Sequence, residues 1–152
     1  MRRLAARELL AAALAWASVP GAPALEVRLI GRCELENTVA AAGAPRVGGL
    51  SGLDYDAATD RWIAVSDDRE EHGPARAYTL RIDYDARQVT RAAAETMTRL
   101  ATPEEERPDF EAVRIDPRTG QRWLATEGDP VRKTGPAVWI ADAAGKHLGA
   151  FS

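Results

Sequence analysis

The stretch Leu50-Ser51-Gly52-Leu53-Asp54-Tyr55-Asp56-Ala57-Ala58-Thr59-Asp60-Arg61-Trp62-Ile63-Ala64-Val65-Ser66-Asp67-Asp68 returns, altered, as Phe110-Glu111-Ala112-Val113-Arg114-Ile115-Asp116-Pro117-Arg118-Thr119-Gly120-Gln121-Arg122-Trp123-Leu124-Ala125-Thr126-Glu127-Gly128-Asp129. One gap at Gln121 brings Trp62 onto Trp123 and Arg61 onto Arg122, with Asp56 on Asp116 and Thr59 on Thr119. In that alignment Ser51 falls on Glu111, and Ser66-Asp67-Asp68 falls on Glu127-Gly128-Asp129. A repeat of about sixty residues is the first thing to explain, because self-similarity at a fixed period marks stacked supersecondary units.

Each copy reads as a β-hairpin. Leu53 and Tyr55 alternate with polar neighbours, as do Val113 and Ile115, which is the period of a half-buried strand. Between the strands lie Asp56 to Asp60 and Asp116 to Gly120. Asp there can accept backbone amides, Pro117 presets φ, and Gly120 supplies a positive φ. A third strand follows in each unit, Ala77-Tyr78-Thr79-Leu80-Arg81-Ile82 and Ala137-Val138-Trp139-Ile140, with Tyr78 sixty-one residues before Trp139. The segment 88–97 fits a fourth strand, though its alanines also suit a short helix. Thr102 to Pro108, with Glu104-Glu105-Glu106, reads as a solvated connector.

Four strands in about sixty residues, repeated in tandem, predict an all-β, β-propeller-like fold with one four-stranded blade per unit. A blade cannot bury both faces alone. The expectation is one full blade and most of a second, with the chain stopping inside the second blade's fourth strand and so truncated. A strand over 25–39 would help to close the ring. The competing architecture is a two-sheet β-sandwich.

Composition is that of a soluble globular protein, 45% hydrophobic and 28% charged. Only the first residues depart from it. Arg2, Arg3 and Arg7 precede an apolar run over 9–19, then Pro20-Gly21-Ala22-Pro23-Ala24. That is the order of a secretory signal peptide over 1–24, leaving a domain over 25–152 and an exported, periplasmic or secreted protein. An amphipathic N-terminal helix is the alternative reading. The run falls short of the about 20 apolar residues that span a bilayer. Removing the three Arg and one Glu of the leader moves the formal net charge from −3 to −5. A mildly acidic chain without a basic stripe argues against nucleic acid as a partner. Cys33 is the single cysteine; it excludes an internal disulfide and reads as a small, partly buried strand residue.

The stretches Gly48-Gly49-Leu50-Ser51-Gly52-Leu53, Trp62-Ile63-Ala64-Val65-Ser66-Asp67-Asp68-Arg69, Ala75-Arg76-Ala77-Tyr78-Thr79-Leu80, Asp109-Phe110-Glu111-Ala112-Val113 and Leu124-Ala125-Thr126-Glu127-Gly128 resemble the phytase-like domain family, also described as the esterase-like activity of phytase. The resemblance covers most of the chain from Gly48 onward. It implies an exported bacterial protein with a β-propeller-like fold and hydrolysis of phosphoesters through recurring Asp and Glu residues. Members of that family are longer, and Phe110 stands where they often carry Pro.

The acids that could form a site are Asp67, Asp68, Asp109, Glu111, Glu127 and Asp129. Equivalent strand ends of successive blades gather around one end of a propeller's channel. Carboxylates converging there repel unless protonated or bridged by a cation, and oxygen-only ligands favour Ca²⁺ or Mg²⁺. Glu111 and Glu127 are the expected catalytic groups or acid ligands, because Glu is a poor turn former and the resemblance falls on both. Asp67 and Asp68 are the expected supporting metal ligands. Arg69 is a fork that could bind a substrate phosphate, or pair with Asp67 or Asp68. Asp54, Asp56 and Asp116 read as turn residues, and any acid at a strand end has a plain structural role open to it. Three functions remain in play: a phosphoester hydrolase acting on a small phosphorylated substrate, a metal-dependent lactone or carboxylic ester hydrolase, and a non-catalytic binding propeller of the cell envelope.

Other motifs carry no chemistry. Gly49-Leu50-Ser51-Gly52-Leu53 lacks the second glycine of a nucleophile elbow. His72 and His147 read as loop residues without partners at ligand or triad spacing. Trp62, Trp123 and Trp139 read as covers of the core.

Overall fold

The computed structural model of the protein describes residues 25–35, 39, 46–103 and 107–152. The signal peptide expected over 1–24 and the triplet Glu104-Glu105-Glu106 lie outside the described residues. The described residues are all-β. Strands β1 (Leu50–Asp56), β2 (Arg61–Ser66), β3 (Arg76–Tyr84) and β4 (Val89–Arg99) form one antiparallel sheet in chain order. Strands β5 (Phe110–Ile115), β6 (Arg122–Thr126), β7 (Ala137–Ala141) and β8 (His147–Phe151) form the second.

The turns obey local chemistry. Asp56 accepts the Ala58 amide at 3.0 Å and the Thr59 hydroxyl at 2.9 Å. Asp116 does the same for Arg118 and Thr119, both at 3.0 Å. Asp60 and Gly120 close the two turns at φ 54° and 69°, a conformation that Asp tolerates and Gly adopts freely. The ambiguous alanine-rich segment is a strand, because β3 offers it a ladder from Arg76–Arg99 to Tyr84–Val89.

The ladders correct the alignment of the two units. Leu50 faces Ser66 and Phe110 faces Thr126; beyond a one-residue bulge, Gly52 faces Val65 and Ala112 faces Ala125. The hairpins are therefore equivalent at a constant offset of sixty with no gap at Gln121, so Trp62 corresponds to Arg122 and Asp67 to Glu127. A one-residue slip in a strand moves every side chain to the other face. Trp62 and Trp123 accordingly lie on opposite faces of their sheets, although they look alike in sequence.

Those faces build the core. Ile63, Val65 and Ala77 of the first sheet pack against Phe110, Val113, Leu124 and Trp139 of the second. Phe110 is fully buried and meets Trp139 edge to face at 5.5 Å between centroids. Its burial stabilises by about 1.5–3 kcal/mol. The other face of the first sheet carries Ala64, Tyr78, Leu80 and Ala94, covered by Val47 with Leu35 and Val39. Leu124 and Trp139 are the counterparts of Ala64 and Tyr78. Unlike faces of equivalent sheets thus meet, a blade-like arrangement. Gly52 makes it possible: a Cβ there would sit 2.7 Å from the Ala112 Cα. Asp54, expected in a turn, lies mid-strand and staples the sheets, accepting the Ile115 amide at 2.8 Å and the Arg114 guanidinium at 2.6 Å.

Three further expectations change. Residues 25–35 carry no strand: Gly31 lies against the start of β4, a Cβ there meeting the Val89 backbone nitrogen at 3.1 Å, but no ladder forms between them. Cys33 is exposed. The second unit's fourth strand is β8, His147–Phe151. His147 opens that strand and stacks on Trp139 at 4.8 Å rather than lying in a loop.

Candidate acidic site

The ends of β2 and β6 and the start of β5 meet at one side of the two sheets. Asp109 directly precedes β5 and is 5% exposed. Glu111 sits at the β5 bulge, between Phe110 and Ala112. Bulges re-aim side chains and occur beside sites. Glu127 directly follows β6. One carboxylate oxygen from each of Asp109, Glu111 and Glu127 lies within 4.8 Å of the others.

Arg69 reaches this cluster from the loop after β2. Its Nε donates to Asp109 Oδ2 at 2.6 Å and its Nη2 to Glu127 Oε1 at 2.8 Å. Both acids hold the guanidinium's proton and raise its pKa, Asp109 foremost. Arg69 and Glu70 adopt consecutive left-handed conformations, φ 50° and 61°. Such strain persists only where surroundings enforce it. Here Asp68 accepts the Glu70 amide at 3.1 Å, while Glu70 Oε1 accepts the Ala75 amide at 3.3 Å and the Thr102 hydroxyl at 3.2 Å. Beneath the loop, Arg76 is 1% exposed and donates to Asp68 and to Tyr78 Oη. Tyr78 in turn donates to the Arg46 carbonyl at 3.0 Å.

Glu111 is the cluster member whose carboxylate has no hydrogen-bond partner among the described residues. Desolvation raises its pKa first, followed by the charges of Asp109, Asp67 and Glu127, with Arg69 opposing. The folded chain therefore binds the Glu111 proton more tightly than the unfolded chain does. Stability contributed by that proton is present below the ordinary glutamate pKa and is lost as pH rises through the raised value. Glu111→Gln is expected to raise the melting temperature at pH 7, with the advantage vanishing below about pH 4; melting curves across that range check it.

The sequence-predicted residues divide. Glu111 and Glu127 come together, joined by Asp109, which sequence reading had named among the acids without giving it a role. The available signal was its spacing: residues two apart lie on one side of an extended chain. Asp67 stays close enough to influence Glu111 and lines a neighbouring cavity of about 390 Å³ with Arg46, Gly49, His72 and Arg76. Asp68 is engaged instead with Arg76 and the loop backbone. Arg69 pairs with neither Asp67 nor Asp68 but with acids 40 and 58 residues away. Asp129 is a turn residue, accepting the Val131 amide at 2.8 Å.

Three convergent oxygens, one of them without a bonded partner, suit a hard divalent cation. The guanidinium on the other two meets the same electrostatic need. In comparison with known families, residues 45–152 match the phytase-like model, described as the esterase-like activity of phytase. Comparison with curated proteins found no match.

Proposed function

The chain belongs to the phytase-like family, and from that premise we propose that it is an exported hydrolase of small phosphoester substrates, working with Ca²⁺ or Mg²⁺. The observation that carries this reading is the meeting of Asp109, Glu111 and Glu127 within 4.8 Å at one end of the second sheet. Asp109, Glu111 and Glu127 would hold the cation, with Asp67 adding negative charge beside them. A bound divalent cation supplies charge neutralisation and Lewis-acid polarisation of a phosphoryl oxygen.

The chain's own groups do the rest. Glu111 or Glu127 accepts a proton from the attacking water, as a carboxylate within reach of the reacting centre can. Arg69 presents a fork suited to phosphate oxygens and rebalances the charge of Asp109 and Glu127. Asp68 acts at one remove, holding the loop that carries Arg69 through Arg76. No helix among the described residues is long and apolar enough to cross a membrane.

The test is turnover of an aryl phosphate and a bis-aryl phosphate with calcium, with magnesium and after chelation. Cation-dependent release of the phenol supports the reading; turnover unaffected by chelation contradicts it. One observation favours a second reading. Arg69 already neutralises two of the three acids, which suits a cation-free binding propeller. That alternative predicts no turnover and a ligand affinity unchanged by chelation.

A further inference from the structure

Arg69 joins the two sheets at the acidic site. Its backbone belongs to the loop after β2, while its side-chain partners Asp109 and Glu127 flank β5 and β6 of the second sheet. The loop backbone is fixed without those partners. Asp68 accepts the Glu70 amide, Glu70 accepts the Ala75 amide and the Thr102 hydroxyl, and Arg76 holds Asp68 from beneath. The hydrogen bonds of the guanidinium itself go to the two acids alone. The Arg69 side chain is 39% exposed and that of Glu127 59%. An ion pair so open to water contributes little, because solvent screens it. The loop can therefore stay in place while the guanidinium swings out.

A divalent cation takes carboxylate oxygens at about 2.0–2.6 Å. Arg69 already sets its nitrogens 2.6 and 2.8 Å from oxygens of two of the three acids. Guanidinium and divalent ion would fill one small space, and like charges that close repel. Resting on the cation reading above, we propose that Arg69 is a displaceable counter-ion of the acidic site. The cation evicts its guanidinium from Asp109 and Glu127, and the freed fork takes the phosphoryl oxygens of the substrate.

Asp109 makes this an exchange. Its side chain is 7% exposed, and a carboxylate so buried needs a positive partner throughout. The guanidinium is that partner in the chain alone, and the incoming ion replaces it. Glu111, without a hydrogen-bond partner among the described residues and within 4.8 Å of the other two acids, is open to the ion before Arg69 moves. Cation and phosphoryl group then bind cooperatively, each raising the affinity for the other by the same factor.

Calcium and magnesium titrations by calorimetry test the exchange on the full chain, Arg69→Gln and Arg69→Lys, with and without methylphosphonate. That probe offers phosphoryl oxygens and no ester to hydrolyse. Arg69→Gln is expected to bind the cation about tenfold more tightly, the effect of removing two part-exposed ion pairs that compete with it. Methylphosphonate should tighten cation binding to the unaltered chain by about fivefold or more and leave Arg69→Gln unmoved. Arg69→Lys keeps the charge and should bind the cation as the unaltered chain does; tightening equal to that of Arg69→Gln would point to a rearranged loop and overturn the proposal. Binding to the unaltered chain that Arg69→Gln leaves unchanged or weakens, or that methylphosphonate does not tighten, would overturn the exchange alone. No binding of either ion by any of the three folded chains would remove the cation reading and the exchange with it.

Discussion

Asp68→Ala is expected to lower stability by about 3–5 kcal/mol, the cost of leaving a buried charge unpaired. Arg76 is that charge: it is 1% exposed, and its guanidinium is held by Asp68 and the Tyr78 hydroxyl. Against a total stability of about 5–15 kcal/mol, the loss would be visible as a large drop in the urea midpoint. The double change Asp68→Ala with Arg76→Met should recover much of it, since no unpaired charge then remains. A drop of under about 1 kcal/mol, the size of an exposed pair, would mean that the network beneath the loop contributes little.

Glu127→Gln carries the second large effect. It removes one charge from the cluster and one of the two acids on Arg69. Cation-dependent phosphoester turnover should fall about a hundred- to a thousand-fold, the size of effect seen when one preorganised electrostatic group is lost. The side chain of Glu127 is 59% exposed, so the melting temperature should barely move. Unchanged turnover in a folded variant would remove Glu127 from the chemistry.

What was legible in the sequence was local. The turns at Asp56–Thr59 and Asp116–Thr119 could be read because their hydrogen bonds span two or three residues. The alternating segments became β1, β3 and β5, and the acids of the site came from strand ends, where they were sought. What was not legible depended on pairing. Matching Trp62 to Trp123 required a gap, yet a face is fixed by what a residue opposes across the ladder. By that measure Arg122 stands where Trp62 does. Arg122 is 7% exposed, and burial lowers its pKa, a substitution that similarity scoring would not choose. Arg69 illustrates the same limit. Its neighbours in sequence offered two carboxylates, but Asp68 is taken by Arg76, and the left-handed turn at Arg69 and Glu70 sends the guanidinium across to the next sheet. Trp123 likewise reads as a core cover until the ladder places it on the face turned away from the first sheet.

The acidic site is the account's central claim, and calcium and magnesium titrations by calorimetry test it most directly. The chain itself, Glu111→Gln and Glu127→Gln would each be titrated at neutral pH. Saturable binding to the unaltered chain, weakened by both changes, is the predicted result. No binding by a folded chain, or binding that both variants retain in full, would contradict a cation held by Asp109, Glu111 and Glu127.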